Sequence, residues 1–592
     1  MEDKIVSFDL SAETLLDLAD KKFEEKDYVG ALRILSKSVE RNGAGSEEYA
    51  LFADIYDAMD LFEMSAFYWF RYLDVCAEDE MVDAYEGLAA CYYNLGNETK
   101  SAYYYNLMLQ DKYLTPSNGM ELGELFSMPP VKRPFRIVYP PEEADYSEEI
   151  DAGLKAIRSG DFKTAEELFS SVHEKSEYYN AARNFLAVGY LMQGKNEEAE
   201  KVCLEILREK PDDIQVLSTY AAVLTEQGRR DESREAAKRL AAFDTQSADE
   251  LYKIATVCCE NGLYEEAYEK FCILERQVNF DLTLLYFKSI AAFRCGKVQE
   301  SLRSLSEIID VFPDAAVAKY YFREIRRYSE EGGEVPETCF FYRLPKAEHD
   351  ARVKFLMALM GISAKELRQY CAQTDLREYI DWCFDEADGT EVEIQLLGAR
   401  LAVKGGMDAR VRELLLDCSV NDIIKVETIR SLAARNKPIV FGVVLGDIYR
   451  SFEFEPIQIG RAGRSKFIYA YSLCFTRFVL MGDGNAQAIR ASAEYIYDTL
   501  SKADKLSLAA DGDSLACVIY FTSSREAVNN TEQALRFTGA KSEAVSALLE
   551  ALRDAVEDEA AIADAGAMSE EEKDKEADEI ACSDSEMNKE KE

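Results

Sequence analysis

Glycines at Gly160, Gly194, Gly228, Gly262 and Gly296 recur with a constant step of 34 residues. A period of that length restricts a chain to architectures built by stacking one small unit on the next. Seven residues before each glycine stands a small residue (Gly153, Ala187, Ala221, Ala255, Ser289), and five after it a second (Ala165, Ala199, Ser233, Ala267, Ser301). Small side chains at both places let two helices touch closely. Nine residues after the glycine the filler is mostly larger: Phe169, Cys203, Ala237, Phe271, Leu305. Each glycine follows an apolar run and precedes a polar one, where a helix end needs φ above zero. Pro211 and Pro313 fall seventeen residues after their glycines and stop the second helix. The stretch 146–315 is therefore expected to hold five units of helix, tight turn and helix.

This spacing of small and large residues resembles the tetratricopeptide repeat family, an array of 34-residue helix-turn-helix units. The family's tryptophan in the first helix is absent, with Glu149, Arg183, Leu217, Leu251 and Leu285 in its place. The resemblance implies an all-α superhelical solenoid whose first helices line a groove for a polypeptide. Counting back in the same register gives three more helix pairs, 12–45, 46–79 and 82–115. The third is marked by Leu88, Ala89, Gly96, Ser101 and Tyr105.

Between them lies an insert, 116–145, holding six of the chain's 12 prolines. Its Lys132, Arg133 and Arg136 alternate with Phe135, Ile137 and Tyr139, so it reads either as a linker or as a segment laid into the groove. Ala316 to Tyr328 is expected to cap the array at 330 with Arg323, Arg326 and Arg327 outward, and 331–345 to be a linker. Helical patterns fill 346–555, including Thr531 to Arg553 and Ser465 to Met481. One or two of the helix pairs weakly resemble HEAT repeats. Near 438–459 the alternation Phe452, Glu453, Phe454 and the Gly446-Asp447 turn predict a small β-hairpin, with a buried helix over Pro438 to Phe452 as the alternative. The acidic tail, 556–592, has few aromatic or β-branched residues and is expected to be disordered.

Net charge bears on partners. The chain carries −42 overall, with fifteen acids against four lysines from Glu557 onward. Such a field repels phosphate backbones and anionic membranes. Fourteen cysteines contain no C-x-x-C pair and sit as apolar fillers, which suits a reducing compartment. Met1 to Leu10 shows no secretory pattern, and the longest apolar segment, Phe467 to Gly482, is short for a span and carries Arg477. A cytoplasmic protein without a membrane segment is expected.

Catalytic chemistry finds little support. His173 and His349 are the chain's two histidines, which excludes imidazole metal clusters. There is no phosphate loop, and Asp388-Gly389 and Asp483-Gly484 lack the remaining ligands of a calcium loop. No catalytic residue, metal ligand or cofactor is expected, although a pair of carboxylates acting as a hydrolase stays open. A possible anion site is Arg461, Arg464 and Lys466 around Gly463, where a helix opens; it would make the C-terminal part a regulator that contacts nucleic acid or a small anion. Leu535 to Val545 faintly resembles a helix-turn-helix, but the second helix carries Glu543 and Glu550.

The leading expectation is a non-enzymatic scaffold binding a basic or amphipathic polypeptide. If the family resemblance holds, the groove begins with an acidic face, Asp17 and Asp20 in the first repeat and Asp54 and Asp57 in the second. It continues through Asn184 to an aromatic region of Tyr252, Lys253, Tyr286 and Phe287.

Overall fold

The computed structural model describes residues 11–110, 145–385, 392–482, 484–523 and 531–557. The proline-rich insert up to 144 and the acidic tail beyond 557 lie outside these residues. The described chain is all-α apart from one two-stranded sheet. The described residues divide into two compact units: those within 11–69, 77–357 and 376–385 form the first, and those within 70–76, 358–375 and 392–557 the second.

In the first unit helices come in pairs: α1 (Ala12–Glu24) with α2 (Tyr28–Asn42), α3 (Ser46–Ala58) with α4 (Phe62–Val75), and α5 (Met81–Asn94) with α6 (Glu98–Gln110). Five more follow: α7 (Ser147–Arg158) with α8 (Phe162–Ser170), α9 (Tyr179–Met192) with α10 (Asn196–Glu209), α11 (Ile214–Glu226) with α12 (Arg230–Ala241), α13 (Ala248–Glu260) with α14 (Tyr264–Leu274), and α15 (Leu282–Arg294) with α16 (Val298–Val311). From α7 to α16 each helix packs on the next in the chain, as in a tetratricopeptide-like solenoid.

The joint between paired helices is built where the small residues stand. Ala187, Ala221, Ala255, Ala199 and Ala267 are fully buried, and the Ser233 hydroxyl donates to the Ala221 carbonyl at 2.9 Å. Ser101 repeats that bond to the Ala89 carbonyl at 2.7 Å, so the third N-terminal pair is joined the same way. At Gly153 no larger residue fits: a Cβ there would stand 2.6 Å from the Phe169 ring. Aspartates open several helices by accepting a free N–H, as Asp213 does from Val216 at 3.1 Å and Asp281 from Leu284 at 2.7 Å.

All five period-setting glycines have left-handed backbone, with φ between +70° (Gly262) and +82° (Gly296). The first two pairs make the same turn without glycine, at Lys26 (φ +61°) and Asp60 (φ +59°). The N-terminal pairs also reach the last repeat: Arg33 grips Asp310, and the buried Tyr56 hydroxyl donates to the Val311 carbonyl at 2.8 Å.

After α16 the cap α17 (Ala316–Glu331) extends to residue 331. Its Arg326 pairs with Glu330 and Arg327 with Glu324, but Arg323 is held by Glu378 of α20 (Arg377–Asp385). Arg352, on α18 (Lys346–Gly361), is 4% exposed and lies over the rings of Tyr320, Tyr379 and Trp382, with Glu348 and Glu378 on its guanidinium. The array end is thus covered by more chain than the cap alone, and the boundary lies near Met357 rather than at 331–345. The cause is burial of aromatic residues from 338–342 against α15 and α17.

The second unit includes α19 (Ala364–Cys371), then α21 (Val392–Gly405), α22 (Asp408–Leu416) and α23 (Asp422–Ala433). Strands β1 (Ile439–Leu445) and β2 (Ile448–Phe454) pair antiparallel around Gly446 and Asp447, both with positive φ, so the hairpin and not the helix is formed. Buried Lys425 ties α23 to the hairpin through the Val444 carbonyl at 2.7 Å, and burial lowers its pKa. Helix α24 (Arg464–Cys474) passes into a π-helical turn at Phe475–Leu480, where Arg477 faces Glu427 at 3.7 Å. Helices α25 (Ala486–Lys502), α26 (Gly512–Ser523) and α27 (Thr531–Thr538) follow. The single helix expected over Thr531 to Arg553 is broken at Gly539 (φ +73°) and resumes at 542–557.

A Cβ at Gly228 would meet no atom within 4 Å, so the cost of Gly228→Ala is the left-handed backbone alone. It is expected to lower stability by about 1–2 kcal/mol. Lys26→Gly removes the same strain but adds unfolded-state entropy, for a net gain of about 0.5–1 kcal/mol. Urea midpoints of both variants check the pair of signs.

Candidate polypeptide-binding faces

The first helices of the N-terminal pairs present the acidic residues. Asp17 and Asp20 on α1, and Asp54 and Asp57 on α3, are all exposed. Desolvation, and then the nearby Asp57 and Asp20 carboxylates, push Asp54 up to about 6. Asp57 is raised by desolvation and by Asp60. A carboxylate that water can touch yet that is hemmed in by protein and by like charges holds its negative form at a cost. A cation brought to this face would relieve it.

Asn184, on α9, is 7% exposed, and its Oδ1 has no hydrogen-bond partner among the described residues. Lys253 is engaged: it bonds Asp249 at 3.1 Å and also Gln215, which donates to Asp249 at 2.6 Å from the equivalent position one repeat earlier. Tyr252 is exposed, stacks on Phe287 with centroids 6.3 Å apart, and lines a cavity of about 350 Å³ with Leu274, Val278 and Leu284.

Tyr286 and Phe287 are not open to a partner, being 0% and 8% exposed. The segment expected to be a linker lies over them. Phe340 packs on Phe287 and stacks on Tyr264 at 5.9 Å; Tyr342 meets Tyr286 edge-on at 5.1 Å. Three side-chain donors take its main-chain carbonyls: Arg294 to Thr338 (2.9 Å), Tyr286 to Cys339 (3.0 Å) and Tyr321 to Arg343 (3.0 Å). The run Cys339-Phe340-Phe341-Tyr342 was the signal available in the sequence, since three adjacent aromatics are costly in a solvated linker.

Arg461 and Arg464 are exposed beside Gly463 (φ +63°), the residue before α24. Lys466 turns away to the Ala510 carbonyl at 2.5 Å, and its N–H closes the turn onto the Gly463 carbonyl at 3.0 Å. Among the described residues no group of three His, Cys, Asp or Glu side chains is placed to hold a metal ion. Nor is any described helix long and apolar enough to cross a membrane.

Residues 156–223 match the tetratricopeptide repeat family. No curated protein matches the chain. Among solved structures, yeast Tom70 is similar at 12% identity and a TM-score of 0.28, covering 92% of this chain and 99% of its own. A tetratricopeptide repeat protein from Parabacteroides merdae is 17% identical with a TM-score of 0.23, over 47% of this chain and 98% of its own. YrrB, described as having an unusual peptide-binding site, is 14% identical with a TM-score of 0.24, over 30% of this chain and 92% of its own.

Because the pKa of Asp54 is raised above its ordinary 3.8, the folded state holds the proton more tightly between about pH 4 and 6. Stability from this group therefore falls as pH rises through 6. Asp54→Asn is expected to raise the thermal midpoint at pH 8 and to leave it nearly unchanged at pH 4, as melting curves at the two pH values would record.

Proposed function

We propose that this protein is a non-enzymatic scaffold whose N-terminal repeats hold a basic or amphipathic polypeptide segment on the first-helix face. Tetratricopeptide repeats generally mediate protein–protein interaction, and residues 156–223 match that family. The observation that carries the finer reading is the crowding of exposed carboxylates at Asp20, Asp54 and Asp57; desolvation first, and the Asp57 and Asp20 charges second, lift Asp54 to about 6. An uncompensated set of like charges destabilises the fold that bears it. A lysine- or arginine-bearing segment supplies the missing compensation.

The reading includes a reducing, cytoplasmic setting. Every described cysteine is a free thiol, and burial raises several of them, such as Cys91 and Cys203 to about 12, which keeps them protonated and unreactive.

Affinity capture from the native cell with the full chain tests the proposal. Asp17, Asp20 and Asp54 changed together to Lys should abolish capture of the wild-type partner, and wild-type capture should weaken steeply between about 50 and 300 mM salt, over which the Debye length shortens about 2.5-fold. Unchanged capture by the charge-reversed chain, or salt-independent capture, would overturn it.

A further inference from the structure

The segment over α15 is held as a groove holds a peptide. Three donors on the repeats and cap, Arg294, Tyr286 and Tyr321, bond main-chain carbonyls, which any sequence could offer. Selectivity comes from two aromatic side chains one residue apart. Phe340 and Tyr342 face the repeats, and Phe341 between them is 64% exposed. This division, backbone for affinity and alternate side chains for choice, characterises recognition of an extended peptide. Ordinary core packing does not need side-chain donors on three carbonyls of one short segment.

The segment is also fastened by something other than the repeats and cap: the Tyr342 hydroxyl donates to both Asp385 oxygens at 3.1 Å. Asp385 in turn accepts the Val317 N–H at 2.7 Å, at the start of α17. It is connected to the cap at Gly332 and Gly333, both with positive φ and free of steric neighbours, which gives a hinge at its near end.

We propose that residues 336–344 are a resident ligand, occupying in cis a face on which α15 and α17 receive in trans an extended partner segment bearing two aromatic side chains separated by one residue. The inference rests on the reading that the repeats bind polypeptides, but it concerns a different face from the acidic one. A tethered ligand competes at a high effective concentration, so partners lacking the aromatic pair are refused. If the segment is seated 99% of the time, an incoming peptide binds about 100-fold more weakly than to the open face.

The test uses the full chain and a fluorescein-labelled peptide of residues 336–344 with serine in place of Cys339. The double variant Phe340→Ala, Tyr342→Phe should bind it at least tenfold more tightly than wild type, and adding Arg294→Ala, an exposed residue, should weaken that binding several-fold. Equal binding to wild type and double variant, no binding to a folded double variant, or indifference to Arg294→Ala would each overturn the proposal. Should the double variant fail to fold, the milder Tyr342→Phe alone decides, since it removes the Asp385 bonds and keeps the ring: peptide binding at least twofold tighter than to wild type supports a separable ligand, and binding equal to wild type contradicts it. The charge-reversed chain should bind the peptide as wild type does, so failure of the acidic-face reading and failure of this one are told apart.

Discussion

Close approach of two helices at a pair of small residues is the contact on which the first unit depends. Where Ser233 meets the Ala221 carbonyl, or Ser101 that of Ala89, the backbones come near enough for a hydroxyl to bridge them. Any larger side chain would hold them apart, as the Phe169 ring beside Gly153 shows from the other direction. The left-handed turn follows from the same requirement, because two helices so close need a reversal of very few residues. Once the pair is fixed, its second helix offers an apolar face to the next pair, and the stack grows without a central core.

That mode of growth leaves the first helices with a face that internal packing does not consume. At the N-terminal pairs the face is charged, and at the last pair it is aromatic. The charged part stays exposed and pays with a raised Asp54. The aromatic part could not stay exposed without a large loss of hydrophobic free energy, and the chain covers it with Phe340 and Tyr342. Both outcomes have one origin: a stacked array presents lining that something outside the repeat has to satisfy.

Much of this was legible in residue spacing. The glycine period placed the turns, the small residues placed the joints, and Gly446-Asp447 placed the hairpin. What escaped notice did so for physical reasons. Asp60 adopts the left-handed turn without the residue that advertises it. At Gly539 the helical pattern over Thr531 to Arg553 and the faint helix-turn-helix of Leu535 to Val545 point in opposite directions, and the left-handed glycine breaks the helix. Gly332, Gly333 and two prolines give the 331–345 segment the punctuation of a linker, but its aromatic run, not its punctuation, determines where it lies. Of the candidate site, the acidic residues are exposed as expected, whereas Tyr286 and Phe287 are covered and Lys253 is engaged, since side-chain partners distant in sequence are invisible to a period.

The claim that the lining of the first helices is the working part is tested most directly by amide hydrogen exchange of the full chain with and without its captured partner. Protection gained on α1, α3 and α5, with the second helices α2, α4 and α6 unchanged, is the predicted result. Protection confined to 391–557, with the first helices of the repeats unaffected, would contradict it.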